Sequence, residues 1–488
     1  MTERRWRGVL AAGSAAVALM AGGAAQAQEA DAGATQARIE ALEQQLAALQ
    51  AQLTELKGQV AAQKPPAAPA PAPAADPQAV KVSLKNGRPT FATADGQFSA
   101  SIRGVMQLDT AQYFQDGSLP ASVTAGRDLN SGTNFRRGRL GVEGRLFGDY
   151  SYNILLDFGG SGTDGSTTLH ELWVQYDGLK PFKIRVGAFP PNLGLEDAAS
   201  TNGSLFAERP SSAEIARGLA GADKRIAAQV MANSDRWLVA AAVTGAKTTD
   251  SATFDEQLGY TFRAAGTPLK GDGWRIQVGA NASIVAQPAQ TSLAGAYPIT
   301  LGDRPELRVD GTQLISTGAI DASGARHWGL EAAGQWNGLL IEGEYFDYRI
   351  NRRNPAAGVT DPKFNGWYVE AGWVLTGEAR KFNPETAAFE APSVAKPFNL
   401  KTGGWGTWEL AARYSLVDLN HDAFAAPAAD RVRGGEQTIT SLGVNWFLNP
   451  ALRLSLDYLD VSVDRLNAAG LQAGQDYQAL NLRSQFAF

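Results

Sequence analysis

The chain has 488 residues, a formal net charge of −5 and no cysteine, which excludes a disulfide framework and a thiolate metal site. It carries no basic patch that would indicate a nucleic-acid partner. Beyond the amino terminus, no apolar run approaches the roughly 18 residues of a membrane-spanning helix. A membrane protein of this composition must be a β-barrel, because a barrel strand crosses with about 9–11 alternating residues.

The amino terminus predicts a secretory signal peptide over residues 1–27. Arginines at positions 4, 5 and 7 precede an apolar segment of small residues, and Ala25-Gln26-Ala27 matches a cleavage site. An uncleaved membrane anchor is the alternative interpretation. We therefore expect export from the cytoplasm.

Residues 36–63 have the apolar spacing of a coiled coil. Gaps of three and four residues alternate along a seam that consists of Ile39, Leu42, Leu46, Leu49, Leu53, Leu56 and Val60. The alternative is a single amphipathic helix that packs on the rest of the protein. Residues 64–80 are rich in proline and alanine and predict an extended linker. Together they predict an oligomerising helix held at a distance from the remainder.

Residues 91–488 alternate strands and turns throughout. In Asn134–Gly160, for example, Leu140 lies on one face while Arg137 and Arg139 lie on the other. About sixteen such strands can be placed, with short turns alternating with long loops as at the two rims of a membrane barrel. Soluble sandwiches and propellers also have many short strands, but no blade-length repeat is present. The pattern predicts an all-β fold, a transmembrane antiparallel β-barrel of about 16 strands.

The carboxyl-terminal strand supports the barrel interpretation. Leu480 and Leu482 alternate with Asn481 and Arg483, and the chain ends on Phe488. A terminal phenylalanine on a strand resembles the signature by which outer-membrane barrels are recognised for assembly. By alternation alone, an ordinary sheet edge would fit as well.

The sequence offers little for catalysis. Its three histidines, His170, His327 and His421, are far apart and lack metal-ligand spacing. No nucleophile elbow or phosphate-binding glycine loop is present. We therefore predict no enzyme, no metal and no cofactor.

Charge on the inner face is the remaining chemical signal. If Leu140 faces lipid, the opposite faces of neighbouring strands place a set of basic side chains in the lumen: Arg103, Arg137, Arg139, Arg145, Lys183 and Arg185. Clustered arginines in a narrow passage concentrate anions, and each binds phosphate or carboxylate with two bonds. The alternative is that these arginines pair with acidic neighbours and leave the channel neutral.

Four segments together resemble the phosphate-selective porin O/P family of Gram-negative outer membranes: Phe135–Phe158, Lys183–Arg209, Trp408–Ser415 and Leu442–Pro450. The resemblance covers essentially all of residues 91–488. It implies a homotrimer of sixteen-stranded barrels in outer-membrane lipid and lipopolysaccharide, each with its own pore. It also implies that the third long loop, about Ala188 to Asp223, folds inward to narrow the pore.

The resemblance also implies which residues meet the anion. The family's paired arginines are Arg136 and Arg137 here, and the serine and arginine of its inward loop are Ser200 and Arg209. We expect these four residues to contact the anion. We expect the weaker candidates to line its path: Arg103, Arg139 and Arg145.

Three positions depart from the family pattern. The lysine of the inward loop is Asp197, next to Glu196; the first-strand arginine falls at Val105, and an acidic position is His170. Exchanging a lysine for an aspartate turns attraction of an anion into repulsion, on the order of kcal/mol at short range. Simple alternation also puts Arg136 and its neighbour on opposite faces, unless a bulge turns both inward.

We predict an outer-membrane porin through which small anions, such as phosphate or pyrophosphate, diffuse passively. One alternative is a weakly selective general porin in which Glu196 and Asp197 offset the arginines. The other is an envelope tether, with the barrel as anchor and the coiled coil in the periplasm, where it contacts the cell wall.

Overall fold

The computed structural model describes residues 31–62, 76–85, 87–115, 128–159 and 167–488. The predicted signal peptide and residues 64–75 of the predicted linker lie outside this range. The chain divides into two compact units, Met1–Ala75 and Asp76–Phe488.

The first unit contains one helix, α1 (Asp31–Ala62), which covers the predicted coiled-coil segment. The apolar residues of the predicted seam from Ile39 to Leu56 are exposed on it, from 44% for Ile39 to 64% for Leu49 and Leu56. Among the described residues, no helix combines the length and the apolar character needed to cross a membrane.

The second unit contains sixteen antiparallel strands in one closed sheet. They are β1 (Ser99–Gln115), β2 (Gly132–Leu146), β3 (Tyr150–Asp157), β4 (Thr168–Tyr176), β5 (Phe182–Ala188), β6 (Arg225–Asn233), β7 (Trp237–Lys247), β8 (Leu258–Gly271), β9 (Trp274–Gln287), β10 (Ile320–Trp336), β11 (Leu339–Arg352), β12 (Lys363–Val374), β13 (Thr407–His421), β14 (Val432–Phe447), β15 (Leu452–Asp464) and β16 (Tyr477–Ala487). Each strand pairs with the next, and β16 pairs with β1 and closes the barrel. The predicted fold class and strand number are confirmed.

The two faces of the sheet differ as the alternation requires. On β16, the side chains of Leu480 and Leu482 are 38% and 45% exposed, whereas Asn481 and Arg483 between them are 0% and 3% exposed. A barrel in a membrane presents its apolar face to lipid and its polar face to the lumen. The buried polar face is therefore the lining of the barrel.

The ends of the barrel also differ. Most connections at one end are short turns, such as residues 147–149 between β2 and β3, and the connections at the other end are longer. At the short-turn end, Val80–Lys85 and Arg88–Thr93 form a hairpin that pairs with the start of β1 and that the sequence analysis did not predict.

Three segments fold into the lumen and occupy part of it. Loop 3 (residues 189–224) carries α2 (Leu195–Ala198) and α3 (Ser211–Ala220). Loop 5 (residues 288–319) carries three two-residue strands, Pro298–Ile299, Gly302–Asp303 and Ile315–Ser316. The inner hairpin, Arg380–Asn383 paired with Ala388–Pro392, belongs to the long connection between β12 and β13 at the short-turn end. A 3-10 helix, Ala428–Asp430, precedes β14.

Polar side chains of the wall hold these segments in place. Asn445 on β14 donates to the Leu205 carbonyl of loop 3 at 2.9 Å, which confirms the predicted inward fold of that loop. Ser415 on β13 donates to Glu306 of loop 5 at 2.6 Å. Arg263 on β8 donates to the Thr386 carbonyl of the inner hairpin at 2.6 Å. Loop 3 also contacts the other two segments, through the Ser211 amide with Glu306 and the Gly203 carbonyl with Arg380, and the three together narrow the lumen.

Candidate functional site

A β-bulge in β2 places both predicted paired arginines on the lumen side. Gln107 on β1 pairs with Arg137 and the next residue, Leu108, pairs with Phe135, so Arg136 is an extra residue in β2. A bulge of this kind reverses the alternation locally. The conflict between strand alternation and two inward arginines is thereby resolved.

Both arginines meet a carboxylate of loop 3. Arg136 donates to Glu208 from Nε and Nη2 at 2.7 and 2.9 Å, and Nη2 of Arg137 lies 3.6 Å from the same carboxylate. Arg483 on β16 adds a bond to Glu208 at 2.9 Å and two bonds to Asp109 at 2.6 Å. Burial alone would raise the pKa of Glu208, but the surrounding guanidiniums outweigh it and hold that pKa well below its ordinary value. The two arginines are engaged with the protein's own carboxylate.

The narrow passage itself is a separate cavity of about 560 Å³ between loop 3, the inner hairpin and the wall formed by β1, β2 and β4 to β6. Several residues singled out from the sequence line it: Arg103, Val105, Arg139, His170, Asp197, Ser200 and Arg209. Arg136, Arg137, Arg145 and Glu196 are not among its lining residues. The structure thus brings together part of the predicted set.

Two of the lining arginines are paired with wall carboxylates. Arg103 lies 3.0 Å from Glu143, and Arg139 lies 2.9 Å from Asp157. Arg145 stands apart from them, exposed near the β2–β3 turn, where it donates to the carbonyl of Gly148 at 3.1 Å. These contacts match the alternative in which inner arginines pair with acidic neighbours.

Two other lining arginines form no ion pair within the described part of the chain. Arg209 donates to loop 3 carbonyls, the nearest that of Glu196 at 3.2 Å. Arg185 on β5 donates to Gln175 at 2.9 Å, and its guanidinium stacks 4.1 Å from the Trp173 ring. Carbonyls, amides and rings orient a guanidinium without cancelling its charge. The sequence analysis counted Arg185 as a lumen residue but did not select it for the site, because strand alternation carries no information about pairing.

Ser200 and the acidic residues of loop 3 take different positions. Ser200 is exposed in the cavity, and its hydroxyl accepts a bond from the Asn202 amide at 3.3 Å. Asp197 forms an ion pair with Arg217 of α3. Glu196 is buried behind the loop, close to Glu342 and Glu370 on the wall.

Burial, together with the nearby carboxylate of Glu370, raises the pKa of Glu196 to about 8. At neutral pH this shift favours the protonated form of Glu196. As a neutral group it can lie beside Glu370 without charge repulsion.

The whole cavity has a mixed charge. Four arginines and six carboxylates line it, and His170 Nε2 lies 4.0 Å from Asp223. An anion in this passage would meet the charges of Arg185 and Arg209 on a background of carboxylates. The arrangement can orient and pass a small oxyanion.

Comparison with known sequences places the chain among channels. Residues 113–488 match the family described as phosphate-selective porin O and P. Porin O of Pseudomonas aeruginosa is 26% identical over 389 residues, which cover 77% of this chain and 85% of that protein. An uncharacterized protein of Caulobacter vibrioides is 26% identical over 385 residues, 76% of this chain and 70% of that protein.

Two solved structures superpose on most of this chain with little sequence identity. An anion-selective porin from Comamonas acidovorans superposes with a TM-score of 0.49 at 14% identity, over 80% of this chain and 100% of that chain. OmpT, an outer membrane protein of Vibrio cholerae, superposes with a TM-score of 0.48 at 10% identity, over 80% of this chain and 98% of that chain.

Proposed function

Because the chain belongs to the phosphate-selective porin O and P family, we propose that it passes phosphate and related small oxyanions through the constriction beside loop 3. The protein is an outer-membrane porin, a water-filled channel for passive diffusion of small anions. The finer assignment of solute and site is our proposal. The observation that carries it is the presence of two guanidiniums, Arg185 and Arg209, that line the cavity beside loop 3 and form no ion pair with a described residue.

These two arginines suit an oxyanion for a physical reason. A guanidinium presents several N–H donors in one plane and binds phosphate oxygens with two bonds. In a passage of low dielectric its charge acts more strongly than in water. Ser200 lines the same cavity and adds a hydroxyl donor, while Arg103 and Arg139 contribute charge that their carboxylate partners reduce.

The constriction is tested by single-channel recording of the purified protein in planar bilayers. The reversal potential in a KCl gradient measures charge selectivity, and the block of chloride current by added phosphate measures binding. We expect Arg185→Gln with Arg209→Gln to shift the reversal potential toward cations and to weaken the block at least tenfold. Arg236→Gln, at an exposed turn, is the matched control and should leave both unchanged. If added phosphate blocks the chloride current of the double variant as strongly as that of the unaltered protein, the proposed site is wrong.

A weakly selective general porin is the second candidate function. It is favoured by the six carboxylates that line the cavity together with four arginines. A reversal potential near zero or on the cation side for the unaltered protein would support it against the anion channel. The same recordings therefore decide between the two functions.

The assembly that we propose is a homotrimer in outer-membrane lipid and lipopolysaccharide, with α1 in the periplasm. The exposed seam of α1, from Ile39 to Leu56, supports the prediction that copies of this helix pair in a coiled coil. Deleting residues 36–63 tests both the trimer and the alternative role as an envelope tether. Persisting conductance with loss of attachment to the cell wall would make the tether role primary, whereas loss of the trimer alone would assign the helix to assembly.

A further inference from the structure

A second large cavity lies at the long-loop end of the barrel, and its charge is one-sided. It has a volume of about 580 Å³ and lies between loop 5 and the loops that follow β13 and β15. Arg431, Arg433 and Arg465 line it, and its lining within the described residues includes no aspartate or glutamate. The constriction has the opposite balance, with more carboxylates than arginines.

The three guanidiniums of the long-loop cavity are held by backbone carbonyls. Arg433 donates to the carbonyls of Ala423 and Asn467, each at 2.9 Å. Arg465 donates to the Leu314 carbonyl of loop 5 at 3.0 Å. These bonds fix the side chains before any ligand arrives, so binding would cost little side-chain entropy.

The positive charge of the cavity is not cancelled by the protein. Within the described part of the chain, none of the three arginines forms an ion pair, and their guanidiniums donate to backbone carbonyl oxygens. Burial lowers the pKa of Arg465, and no neighbouring carboxylate counteracts it. The hydroxyl of Thr312, which also lines the cavity, has no hydrogen-bond partner in the described structure.

We propose that this cavity is a binding site for a phosphate-bearing ligand of the diphosphate or phosphomonoester class. Such a group carries about two negative charges at neutral pH and several acceptor oxygens. Three fixed guanidiniums and a free hydroxyl match the charge and the number of acceptor oxygens of such a group better than those of a monovalent ion. The proposal does not rest on conduction through the constriction, since the two cavities have no lining residue in common.

The ligand's phosphate has two potential sources, a free diphosphate in the medium or the phosphorylated headgroup of a surrounding lipid. The first probe is inorganic pyrophosphate, titrated calorimetrically into the full-length protein in detergent. The second probe is bis-phosphorylated lipid A in mixed micelles, compared with the dephosphorylated lipid. If lipid A binds, the dephosphorylated lipid should not bind.

The variants separate this site from the constriction. We expect Arg431→Gln, Arg433→Gln and Arg465→Gln together to weaken binding at least tenfold, and Arg431→Gln alone to weaken it severalfold. Arg431→Gln keeps the bonds that Arg433 and Arg465 make to the loops, because it removes only the hydrogen bond from Arg431 to the Ala425 carbonyl. Arg236→Gln is the control for a lost surface charge, and circular dichroism confirms that each variant is folded.

Comparison of the constriction double variant with the long-loop triple variant decides the outcome. Binding that persists in Arg185→Gln with Arg209→Gln and disappears in the long-loop triple variant supports the proposal. Binding that disappears only in the constriction variant overturns it. Failure of both probes to bind the unaltered protein overturns it as well.

Discussion

Arg136 and Glu208 form a two-bonded ion pair that joins β2 to loop 3, with Nε and Nη2 at 2.7 and 2.9 Å from the carboxylate oxygens. Arg137 and Arg483 approach the same carboxylate from β2 and β16. The side chain of Glu208 is only 4% exposed. The carboxylate of Glu208 in loop 3 therefore engages both arginines of β2 that the family resemblance assigned to the anion.

Replacing Glu208 by glutamine should destabilise the protein and make its stability depend on phosphate. The substitution leaves Arg136, Arg137 and Arg483 without their shared carboxylate, and breaking a buried ion pair in this way costs about 3–5 kcal/mol. Urea unfolding of the refolded barrel measures the loss, and added phosphate should restore part of it in the variant.

Asp235→Asn is the control for the Glu208 substitution. It removes an exposed ion pair with Lys270 at a turn and should have a much smaller effect. Equal losses in the two variants would contradict a special role for Glu208.

Loop 3 should loosen at alkaline pH through Glu196. The pKa of this carboxyl is raised from 4.5 to about 8, so the folded protein keeps a proton that the unfolded chain releases above about pH 4.5. Stability contributed by this group should therefore fall as pH rises from about 4.5 to about 8 and then level off. Above that range the ionised carboxylate repels Glu370, and we expect noisier single-channel currents.

Glu196→Gln should remove that pH-dependent step in stability and current noise, because an amide does not ionise. Asp272→Asn, at an exposed turn, should retain it. A step of unchanged size in the glutamine variant would rule out Glu196 as its source.

The inner hairpin should depend on Arg263. This residue forms an ion pair with Glu331 at 2.9 Å, with both side chains 0% exposed, and donates to the carbonyls of Thr386 and Ala387. Arg263→Met leaves Glu331 buried and unpaired, at a cost of about 3–5 kcal/mol, and frees the hairpin. We expect a lower urea midpoint and a larger single-channel conductance.

Arg349→Met provides the comparison for Arg263→Met, since Arg349 pairs with Asp347 at a partly exposed position. Arg349→Met should change neither the urea midpoint nor the single-channel conductance appreciably. A conductance that stays constant in Arg263→Met would show that the inner hairpin does not depend on this arginine.

Restoring the family's lysine at Asp197 should not produce a tighter phosphate site. Asp197 is 9% exposed and pairs with Arg217 of α3, so a lysine there would face a buried guanidinium. We expect Asp197→Lys to lower the urea midpoint without strengthening the phosphate block. Asp197→Asn, which keeps the size of the side chain, should lower the urea midpoint less than Asp197→Lys does. A stronger block in the lysine variant at unchanged stability would contradict this reading of the ion pair.

The sequence by itself determined the barrel. Apolar and polar residues alternate in each strand, and that alternation settles which side chains face outward, as Leu480 and Arg483 show. Turn residues such as those between β2 and β3 mark the hairpins, so sixteen strands can be counted without coordinates. These features are local, because each depends on neighbours along the chain.

Only the tertiary structure decided which arginines remain free for an anion. Glu208 and Arg483 are 275 residues apart in sequence, and Arg263 meets a carbonyl 123 residues away. The inner hairpin likewise meets the wall through distant partners, Arg263 with the Thr386 carbonyl and Arg380 with Glu409. Charge pairing in a barrel depends on which loops fold inward and where they contact the wall. The periodicity of the strands does not predict those contacts.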